Sequence, residues 1–384
     1  LLNILVKRLK LDRYDSLIPG GRYHNFKDFI DFPKVGPPSL RNKKIPPLPM
    51  PRFKPFESIL EEIRQKDVIL HYPYQSFNYY LDMLREAAID PYVQDIRITL
   101  YRVAKDSKVI KTLINARRSG KKITVLVELQ ARFDEKANIR WANKMQEAGI
   151  RVIFGVKGMK VHSKLTLITR KQDNQVERFA YIGTGNFHEG TAGIYCDEGL
   201  FTYDERLTYE AERVFEFFDK NYKLYDYEHL ILSPFRTRSF FTELIENEVE
   251  AAQKGRKALI ILKLNNLVDE AMINKLYEAS QAGVSIKLII RGICSLIPGQ
   301  KGLSENISVI SIVDKYLEHS RILYFYNWGE ERYYISSADW MTRNLDRRIE
   351  VTAPIYDPDV QEELMEMLKI QLKDNQKARI IDKD

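Results

Sequence analysis

The sequence predicts an α/β protein built from two duplicated lobes, each a mixed β-sheet flanked by helices, with a partial helical segment at the N-terminus. Two observations support this prediction. Strand patterns of period 2 alternate with helical patterns of period 3.6 along most of the chain, as in βαβ units. A His-Ser-cation motif also occurs twice, at His162 and His319, which are 319 − 162 = 157 residues apart.

The duplication extends beyond this motif. Residues 110–116 and 120–127 align with residues 273–279 and 283–290, at an offset of 279 − 116 = 163. Such a spacing exceeds the period of about 20 to 50 residues found in solenoids, so a duplicated domain is favoured. Each copy supplies one histidine, and we therefore expect a single site between the two lobes.

The region before the lobes is expected to belong to another domain. The chain starts at Leu1, without methionine and within a short amphipathic helix pattern, so we expect a further N-terminal part in the natural protein. Residues 33–55 are rich in proline and lysine, a composition that resists helix and strand. We expect residues 1–49 to end a truncated helical domain, residues 50–230 to form the first lobe and residues 231–384 the second.

Both lobes show the same order of elements. The first is predicted to contain helix 56–65, a loop at 67–77, helix 78–88, strand 96–101, helix 108–119, strand 123–129, helix 137–148, strand 151–155, strands carrying His162 and Gly183, and helix 207–218. The second is predicted to contain helix 239–253, strand 258–264, helix 270–282, strand 285–291, strands carrying His319 and Tyr334, and helix 360–372.

The first copy of the motif carries the signs of phosphate chemistry. His162 and Lys164 are two residues apart on a predicted strand, so we expect them on one face of the sheet. The next strand ends in the turn 183–186, Gly-Thr-Gly-Asn, whose backbone N–H groups can approach an anion closely. One such motif is more often a buried histidine beside an ordinary lysine, but the second copy favours a site.

Composition limits the choice of partner and compartment. There are 60 lysine and arginine residues against 53 aspartate and glutamate residues, a net charge of +7. This excess is consistent with nucleic acid, lipid head groups or polyphosphate as a partner, and equally with a mildly basic surface. Two cysteines are too few for a disulfide framework or a zinc site, and neither a secretory signal nor a run of about 18 apolar residues occurs. We expect a cytoplasmic protein.

Longer segments make the pattern more specific. They are ITLYRVAKDS at 98–107, VELQARFDE at 127–135, KVHSKLTLI at 160–168, YIGTGNFHEGTAGIYCDEG at 181–199 and SSADWMTRNLDRRIEV at 336–351. In this order they resemble the bacterial polyphosphate kinase family, whose catalytic lobes are phospholipase D-like, and the resemblance covers the chain from Asp12 onward. The phospholipase D superfamily has an aspartate five residues after the motif's cation, where this chain has Thr169 and Tyr326.

The resemblance implies reversible transfer of the terminal phosphate of ATP to inorganic polyphosphate through a phosphohistidine. His162 matches the phosphorylated histidine, while Tyr195, Arg291 and His319 match nucleotide contacts. A neutral imidazole is a competent nucleophile at pH 7, and a phosphoramidate keeps the phosphoryl group activated in both directions. We expect His319 to assist as a general acid or base.

The resemblance also implies Mg²⁺ as a cofactor. Arg102 and Arg132 match positions that the family associates with this metal. A guanidinium has no lone pair to offer, so we expect both arginines to hold phosphates that the metal also touches. Lys164, Asn186 and Arg321 are expected to bind phosphate oxygens.

Two other functions remain open. One is a phospholipase D-like phosphodiesterase that acts on lipid or nucleic acid through the same two histidines, and Thr169 and Tyr326 argue against it. The other is a non-catalytic polyanion-binding module, and the intact spacing of both motifs argues against it. Asp339 is a candidate to orient a histidine or to carry out acid-base work.

The partners that follow from the resemblance are ATP or ADP and inorganic polyphosphate, with no nucleic acid. The resemblance further implies a homo-oligomer and possible peripheral association with a membrane.

Polyphosphate binding is expected to depend steeply on salt, because lysine and arginine side chains release the counterions condensed on a linear polyanion. A titration at several salt concentrations, with duplex DNA as the competitor, measures this. Polyphosphate is expected to compete better than DNA. Equal competition per charge, or a weak dependence on salt, would contradict a basic channel shaped for polyphosphate.

Overall fold

A computed structural model describes residues 2–12, 33, 35–128, 135–173, 175–223 and 225–383. It divides the chain into two compact units, Leu1–Ile45 and Pro46–Asp384. In the smaller unit, helix α1 spans Leu2–Arg8 and a 3₁₀ turn spans Pro38–Leu40, so the helix predicted at the N-terminus is present. The boundaries expected near residues 49 and 230 remain predictions.

The larger unit alternates helices and strands. Its helices are α2 (Ile59–Gln65), α3 (Asn78–Ile89), α4 (Lys108–Arg118), α5 (Glu135–Glu147), α6 (Glu205–Asp219), α7 (Thr237–Gln253), α8 (Glu270–Gln281), α9 (Thr342–Asp346) and α10 (Pro358–Leu372). Its strands are β1 (Val68–Tyr72), β2 (Val93–Leu100), β3 (Lys122–Val127), β4 (Arg151–Phe154), β5 (Lys160–Val161), β6 (Leu165–Gln172), β7 (Gln175–Gly183), β8 (Tyr195–Thr202), β9 (Ile231–Ser233), β10 (Leu259–Leu264), β11 (Ser285–Ile290), β12 (Ile307–Ile312), β13 (Leu317–Glu318), β14 (Ile322–Phe325), β15 (Arg332–Ser336), β16 (Arg348–Pro354) and β17 (Ala378–Ile381).

The strands form two mixed sheets of similar design. The first has the order β1-β8-β7-β6-β2-β3-β4, and the second has the order β17-β12-β11-β10-β14-β15-β16-β5. In the first sheet, β2-β3-β4 run parallel and are joined by helices α4 and α5. In the second sheet, β10-β11-β12 run parallel; helix α8 joins β10 to β11, and the connection 291–306 without a helix joins β11 to β12. An antiparallel meander lies beside each set of parallel strands. The predicted α/β architecture with two mixed sheets is therefore confirmed.

Three buried clusters hold the sheets and helices together. One lies between the first sheet and helices α2, α3, α4 and α5, and another lies between the second sheet and helices α7 and α8. The central cluster combines the facing sides of both sheets with α6 and α10. Alternation along β6 shows how one strand serves two clusters, because Leu167 faces the central cluster and Ile168 the outer one.

Capping residues set the helix starts. The side chains of Ser58, Ser107, Asp269 and Asp357 each accept a hydrogen bond from a backbone N–H in the first turn of α2, α4, α8 and α10.

Among the described residues, no helix is long and apolar enough to cross a membrane.

The two sheets exchange short strands. Strand β5 precedes the first motif but pairs in parallel with β16 of the second sheet, while β13 precedes the second motif and pairs in parallel with β8 of the first sheet. The two pairings set Val161 beside Ile349 and Glu318 beside Cys196. Each motif therefore enters its own sheet directly after leaving the other one.

Two predictions of local structure are wrong. His162 and Lys164 do not share a strand face, because residues 162–164 connect β5 to β6 and belong to neither; residues 319–321 connect β13 to β14 in the same way. The apolar run continued through the motif and concealed this change of sheet. The segment 67–77, which is predicted to be a loop, contains strand β1. Pro73 directly follows Tyr72, the last residue of this strand, and prevents the strand from continuing.

Candidate active site

The backbone of the second sheet holds His162 in place. The carbonyl oxygen of Ile349 accepts hydrogen bonds from the backbone N–H of His162, at 2.9 Å, and of Ser163, at 3.2 Å. Because Ile349 is fixed there, the next residue, Glu350, lies against the histidine. Its Oε2 is 2.8 Å from Nδ1 of His162, and its side chain is only 1% exposed.

His319 is held in the same way by the first sheet. The carbonyl oxygen of Cys196 accepts hydrogen bonds from the backbone N–H of His319, at 3.0 Å, and of Ser320, at 2.8 Å. The next residue, Asp197, places Oδ1 at 2.7 Å from Nδ1 of His319. Each histidine is therefore oriented by a carboxylate that belongs to the opposite sheet.

A hydroxyl group fixes each carboxylate. Thr184 Oγ1 donates to Asp197 at 2.7 Å and accepts from the backbone N–H of Glu198 at 2.9 Å. Ser337 Oγ donates to Glu350 and accepts from the backbone N–H of Val351 at 3.1 Å. The spacing is identical in both copies, since 197 − 184 = 13 and 350 − 337 = 13.

The sequence reasoning missed Asp197 and Glu350. The signal that could have found them is this equal spacing, which extends the duplication from the small-residue turns to the strands that follow. Asp339, a candidate histidine partner, instead pairs with Arg321, whose Nε lies 3.1 Å from Asp339 Oδ1.

Burial sets the protonation state of His162. Burial lowers its pKa to about 4, although the charge of Glu350 opposes this shift. Burial would raise the pKa of Glu350, but its interactions with His162 and Lys164 lower that pKa below its ordinary value. At neutral pH the carboxylate is thus ionised and the imidazole is neutral, with its proton on Nδ1 facing Glu350. The lone pair lies on Nε2, which makes no hydrogen bond to any residue that the structure describes.

His319 has a different environment. Burial lowers its pKa; Asp197 opposes the shift, and Arg321 adds to it. Nη1 of Arg321 lies 3.3 Å from Nε2 of His319 and donates to the carbonyl oxygen of His319 at 2.7 Å. A guanidinium therefore lies against this ring.

The cation of the first motif is Lys164, which is almost fully buried at 2% exposure. Its ammonium donates to the carbonyl oxygen of His162. Burial lowers its pKa to about 7, although Glu350 opposes the shift. Lys164 also lowers the pKa of His319, so the cation of one copy acts on the histidine of the other.

The turn at 183–186 is only partly available to an anion. The N–H of Gly183 donates to the carbonyl oxygen of Lys164, and that of Thr184 donates to Glu198, both at 2.9 Å. Asn186 fits a polar ligand better, because its buried Oδ1 has no hydrogen-bond partner among the described residues. Gly185 leaves room for the carboxylate of Asp197, because a Cβ at this position would lie 2.3 Å from Oδ2 of Asp197.

Tyr195 and Arg291, the predicted nucleotide contacts, lie near His319. The ring of Tyr195 lies 5.1 Å from that of His319. Arg291 donates to Asn265 Oδ1 at 2.7 Å, and Asn265 in turn donates to the carbonyl oxygen of His319 at 3.0 Å. Burial lowers the pKa of Arg291, and Arg321 adds to the shift.

Arg102 approaches the other histidine through Tyr101. Its guanidinium lies 5.9 Å from the centre of the Tyr101 ring, whose edge packs against His162 with 4.9 Å between ring centres. Arg132 lies outside the described residues.

The described side chains near the histidines do not form a group of metal ligands. No group of three or more histidine, cysteine, aspartate or glutamate side chains among the described residues could hold an ion. Asp197 and Glu350 are engaged with imidazoles and Asp339 with a guanidinium. A guanidinium cannot ligate Mg²⁺, so Arg102 fits a phosphate rather than a metal.

Comparison with known families gives two matches along the chain. Residues 58–224 match the family model described as Polyphosphate kinase C-terminal domain 1, and residues 230–384 match Polyphosphate kinase C-terminal domain 2. Polyphosphate kinase of Vibrio vulnificus strain YJ016 is 51% identical over 384 residues, which is 100% of this chain and 55% of that protein. Polyphosphate kinase of Escherichia coli strain K12 is 50% identical over 386 residues, and the match covers 100% of this chain and 56% of that protein. The chain thus spans about half the length of the curated relatives it matches.

Solved structures give the same result. The crystal structure of polyphosphate kinase from Porphyromonas gingivalis has a TM-score of 0.87 at 40% identity, covering 100% of this chain and 58% of that one. Phosphatidylserine synthase from Haemophilus influenzae Rd KW20 has a TM-score of 0.53 at 11% identity, and the match covers 83% of this chain and 88% of that one. At this identity the likeness concerns the fold alone. These likenesses confirm the predicted α/β fold class.

Replacing Gly185 is expected to displace Asp197 from His319. In Gly185→Ala, the new methyl group would overlap the carboxylate, and such overpacking typically destabilises by about 1 to 3 kcal/mol. Urea unfolding measures the loss, and the ring nitrogen resonances of His319 report its carboxylate contact. Gly193→Ala is the matched control, because no atom lies within 4 Å of its added Cβ. Indistinguishable behaviour of the two variants would contradict this packing.

His162 is expected to stay neutral far below the ordinary range of histidine. Nitrogen NMR across an acid titration should show a midpoint near pH 4, with the proton on Nδ1 above it. Because the pKa in the folded protein lies below the unfolded value of about 6.5, the unfolded chain takes up this proton first. This group therefore lowers stability progressively from about pH 6.5 to pH 4. A midpoint at or above pH 6.5 would show that the ring is not desolvated as described.

Proposed function

Because the chain belongs to the polyphosphate kinase family, we propose that it transfers the terminal phosphoryl group of ATP to inorganic polyphosphate through a phosphohistidine on His162. The observation that supports this most is the state of His162. A neutral ring donates Nδ1–H to Glu350 and leaves the Nε2 lone pair without a partner among the described residues. A nucleophile oriented by a carboxylate is the arrangement that covalent catalysis requires.

The proposed first step forms one bond and breaks one. The Nε2 lone pair attacks the terminal phosphorus of ATP, and the bond from that phosphorus to the bridging oxygen breaks, with its electron pair leaving on ADP. The cationic phosphoimidazole is stabilised by Glu350 through Nδ1–H. A terminal oxygen of polyphosphate then attacks the same phosphorus and the N–P bond breaks, which restores neutral His162 and lengthens the polymer by one phosphate.

His319 is assigned to the leaving oxygen in this scheme. Burial lowers its pKa, so the neutral ring, with its proton on Nδ1 facing Asp197, has no proton on Nε2 to donate. The negative charge of a bound triphosphate would raise that pKa and favour the imidazolium. His319 would then donate its Nε2 proton to the leaving oxygen of ADP, and the resulting neutral ring would accept a proton from the terminal phosphate of polyphosphate as that phosphate attacks. Tyr195 and Arg291 lie beside it and are proposed to contact the nucleotide.

The buried cations are proposed to hold the transferred phosphoryl group. Lys164 and Arg321 are 2% and 4% exposed, so an anion that reaches them meets charges already stripped of water. The unpartnered Oδ1 of Asn186 accepts a hydrogen bond, so we place it against a protonated group or the metal's water shell. Arg102 is proposed to hold outer phosphate oxygens.

Mg²⁺ is proposed to arrive with the nucleotide as part of the substrate. The described side chains offer no ligand set for a resident ion. When bound to ATP, the metal would neutralise phosphate charge, and Arg102 would contact the same phosphates. We assign the corresponding role to Arg132 by the family resemblance. Homo-oligomerisation and peripheral membrane association remain predictions from the resemblance.

Replacing each histidine separately tests the proposed roles. In the complete protein, His162→Ala is expected to abolish the acid-labile, alkali-stable phosphoenzyme formed from γ-labelled ATP. His319→Ala is expected to slow its single-turnover formation by about 10²- to 10⁴-fold, the usual size of general acid-base help. His229→Ala is the matched control, because His229 bonds to Tyr356 away from both motifs.

Three outcomes would contradict these roles. Undiminished labelling of His162→Ala would remove this residue as the acceptor. Normal labelling of His319→Ala with a lowered melting temperature would make His319 structural. Labelling by a phosphodiester but not by ATP would instead indicate a phosphodiesterase.

A further inference from the structure

We propose that His71 is a positioning residue, which as an imidazolium clasps helix α10 to strand β8 and thereby fixes the contact between Asp197 and His319. The activity arm of its test rests on the proposed function, whereas the spectroscopic arm does not. Neither the duplicated motifs nor the family resemblance drew attention to this histidine.

The geometry places His71 between two carboxylates from different parts of the fold. His71 lies on β1, directly opposite Glu198 on β8, so the two side chains share a face of the first sheet. Its Nδ1 is in ion-pair contact with Oε2 of Glu198. Its Nε2 lies 3.0 Å from Oε1 of Glu363 on α10, the last helix of the chain. One ring therefore joins the edge of the first sheet to a helix that follows the second sheet.

A short path connects this contact to His319. Glu198 directly follows Asp197, the carboxylate that orients His319. The hydroxyl of Thr184 donates to Asp197 Oδ1 at 2.7 Å and accepts from the backbone N–H of Glu198 at 2.9 Å. A shift of Glu198 therefore moves an atom to which the hydroxyl of Thr184 is bonded, and Asp197 shares that hydroxyl.

Charge balance requires the protonated form of His71. Glu198 is 3% exposed, and His71 is its only ion-pair partner within the described ranges. A neutral ring would leave a buried carboxylate uncompensated, which is strongly unfavourable. Burial would lower the pKa of His71, but Glu198 and Glu363 outweigh it and raise the pKa to about 10.

The other titratable groups around the ring do not replace it. The ring borders a cavity of about 460 Å³ that is also lined by Cys196, Lys263 and Glu366. Lys263 is already paired with Glu318 at 2.5 Å. Burial raises the pKa of Cys196 to a value at which it is a neutral thiol. The cation that faces Glu198 is thus His71.

A second ion pair, at Lys66, serves as a control for His71 because it also connects the region of β1 to α10. Lys66 lies just before β1 and pairs with Asp359 and Asp357 at the start of α10. Within the described part of the chain, the ion pairs of its side chain reach α10 and its N-cap, and none involves a residue of β8. Lys66→Gln therefore reports the effect of losing an ion pair to α10, whereas His71→Gln removes in addition the support of Glu198.

The experiment compares these variants in the complete protein. His71→Gln is expected to lower the single-turnover rate of phosphohistidine formation by about 2- to 30-fold, the range for residues that act through a coupled network. His71→Arg is expected to restore the rate, because its fork keeps the charge and the adjoining cavity gives it room. Lys66→Gln is expected to stay within about twofold of the wild type. Glu363→Gln should change the rate in the same direction as His71→Gln, and it decides the matter if His71→Gln does not fold.

Two further readouts separate positioning from adhesion. The ring nitrogen resonances of His319 should shift in His71→Gln and not in Lys66→Gln. The folded pKa of His71 lies above the unfolded value of about 6.5, so its contribution to stability is complete below pH 6.5 and is lost as pH rises towards 10. The difference in melting temperature between wild type and His71→Gln should therefore shrink over this window.

The proposal is overturned if His71→Gln leaves the His319 resonances and the labelling rate unchanged, or if Lys66→Gln alters both as strongly. A rate that stays low in a folded His71→Arg variant would also contradict it. If the wild-type protein forms no phosphoenzyme at all, the proposed function fails. The His319 resonances still test the clasp in that case.

Discussion

The active-site geometry depends on a reciprocal pairing in which each histidine takes its carboxylate from the opposite sheet. Glu350 orients His162, and Asp197 orients His319. The exchanged strands β5 and β13 enforce this, because each motif is bonded to the backbone residue that precedes the carboxylate. Neither sheet alone can therefore supply both the histidine and the carboxylate that orients it. Docking of the sheets and assembly of the site are the same event, and the central core supplies the free energy for both.

The site also concentrates ions that are expensive to bury. Lys164, Arg321, Asp197, Asp339 and Glu350 are all at most 5% exposed. The two carboxylates that face histidines are compensated by hydrogen bonds, and Asp339 and Arg321 compensate each other. Such an arrangement contributes little net stability. For the proposed function its benefit is preorganisation, because the cations lose their water during folding rather than at the moment when a phosphate binds.

The sequence revealed the duplication and the chemistry more readily than the path of the chain. The repeat identifies both histidines, the cation that follows each of them, and Asn186, because the same pattern of residues occurs in both copies. Asp197 and Glu350 escaped because their partners lie on another sheet, and strand exchange leaves no mark in hydrophobic periodicity. The same limit hid the true role of Gly185, which is to admit a carboxylate rather than to cradle an anion. His71 has no counterpart in the repeat, and only the fold brings Glu198 and Glu363 to it.

The two copies differ in the environment of the cation that follows each histidine. Arg321 is held by Asp339, which lies at 3.1 Å and 3.4 Å from its nitrogens, and a guanidinium keeps its charge at any working pH. Among the described residues, no carboxylate lies within ion-pair distance of Lys164, and burial lowers its pKa to about 7. In the proposed reaction, an incoming phosphate would meet at Lys164 an amine that is only partly protonated at neutral pH and would gain a proton as the anion binds. This difference supports the proposed assignment of His162 as the acceptor, and the permanently charged side around His319 and Arg291 suits the proposed nucleotide contacts.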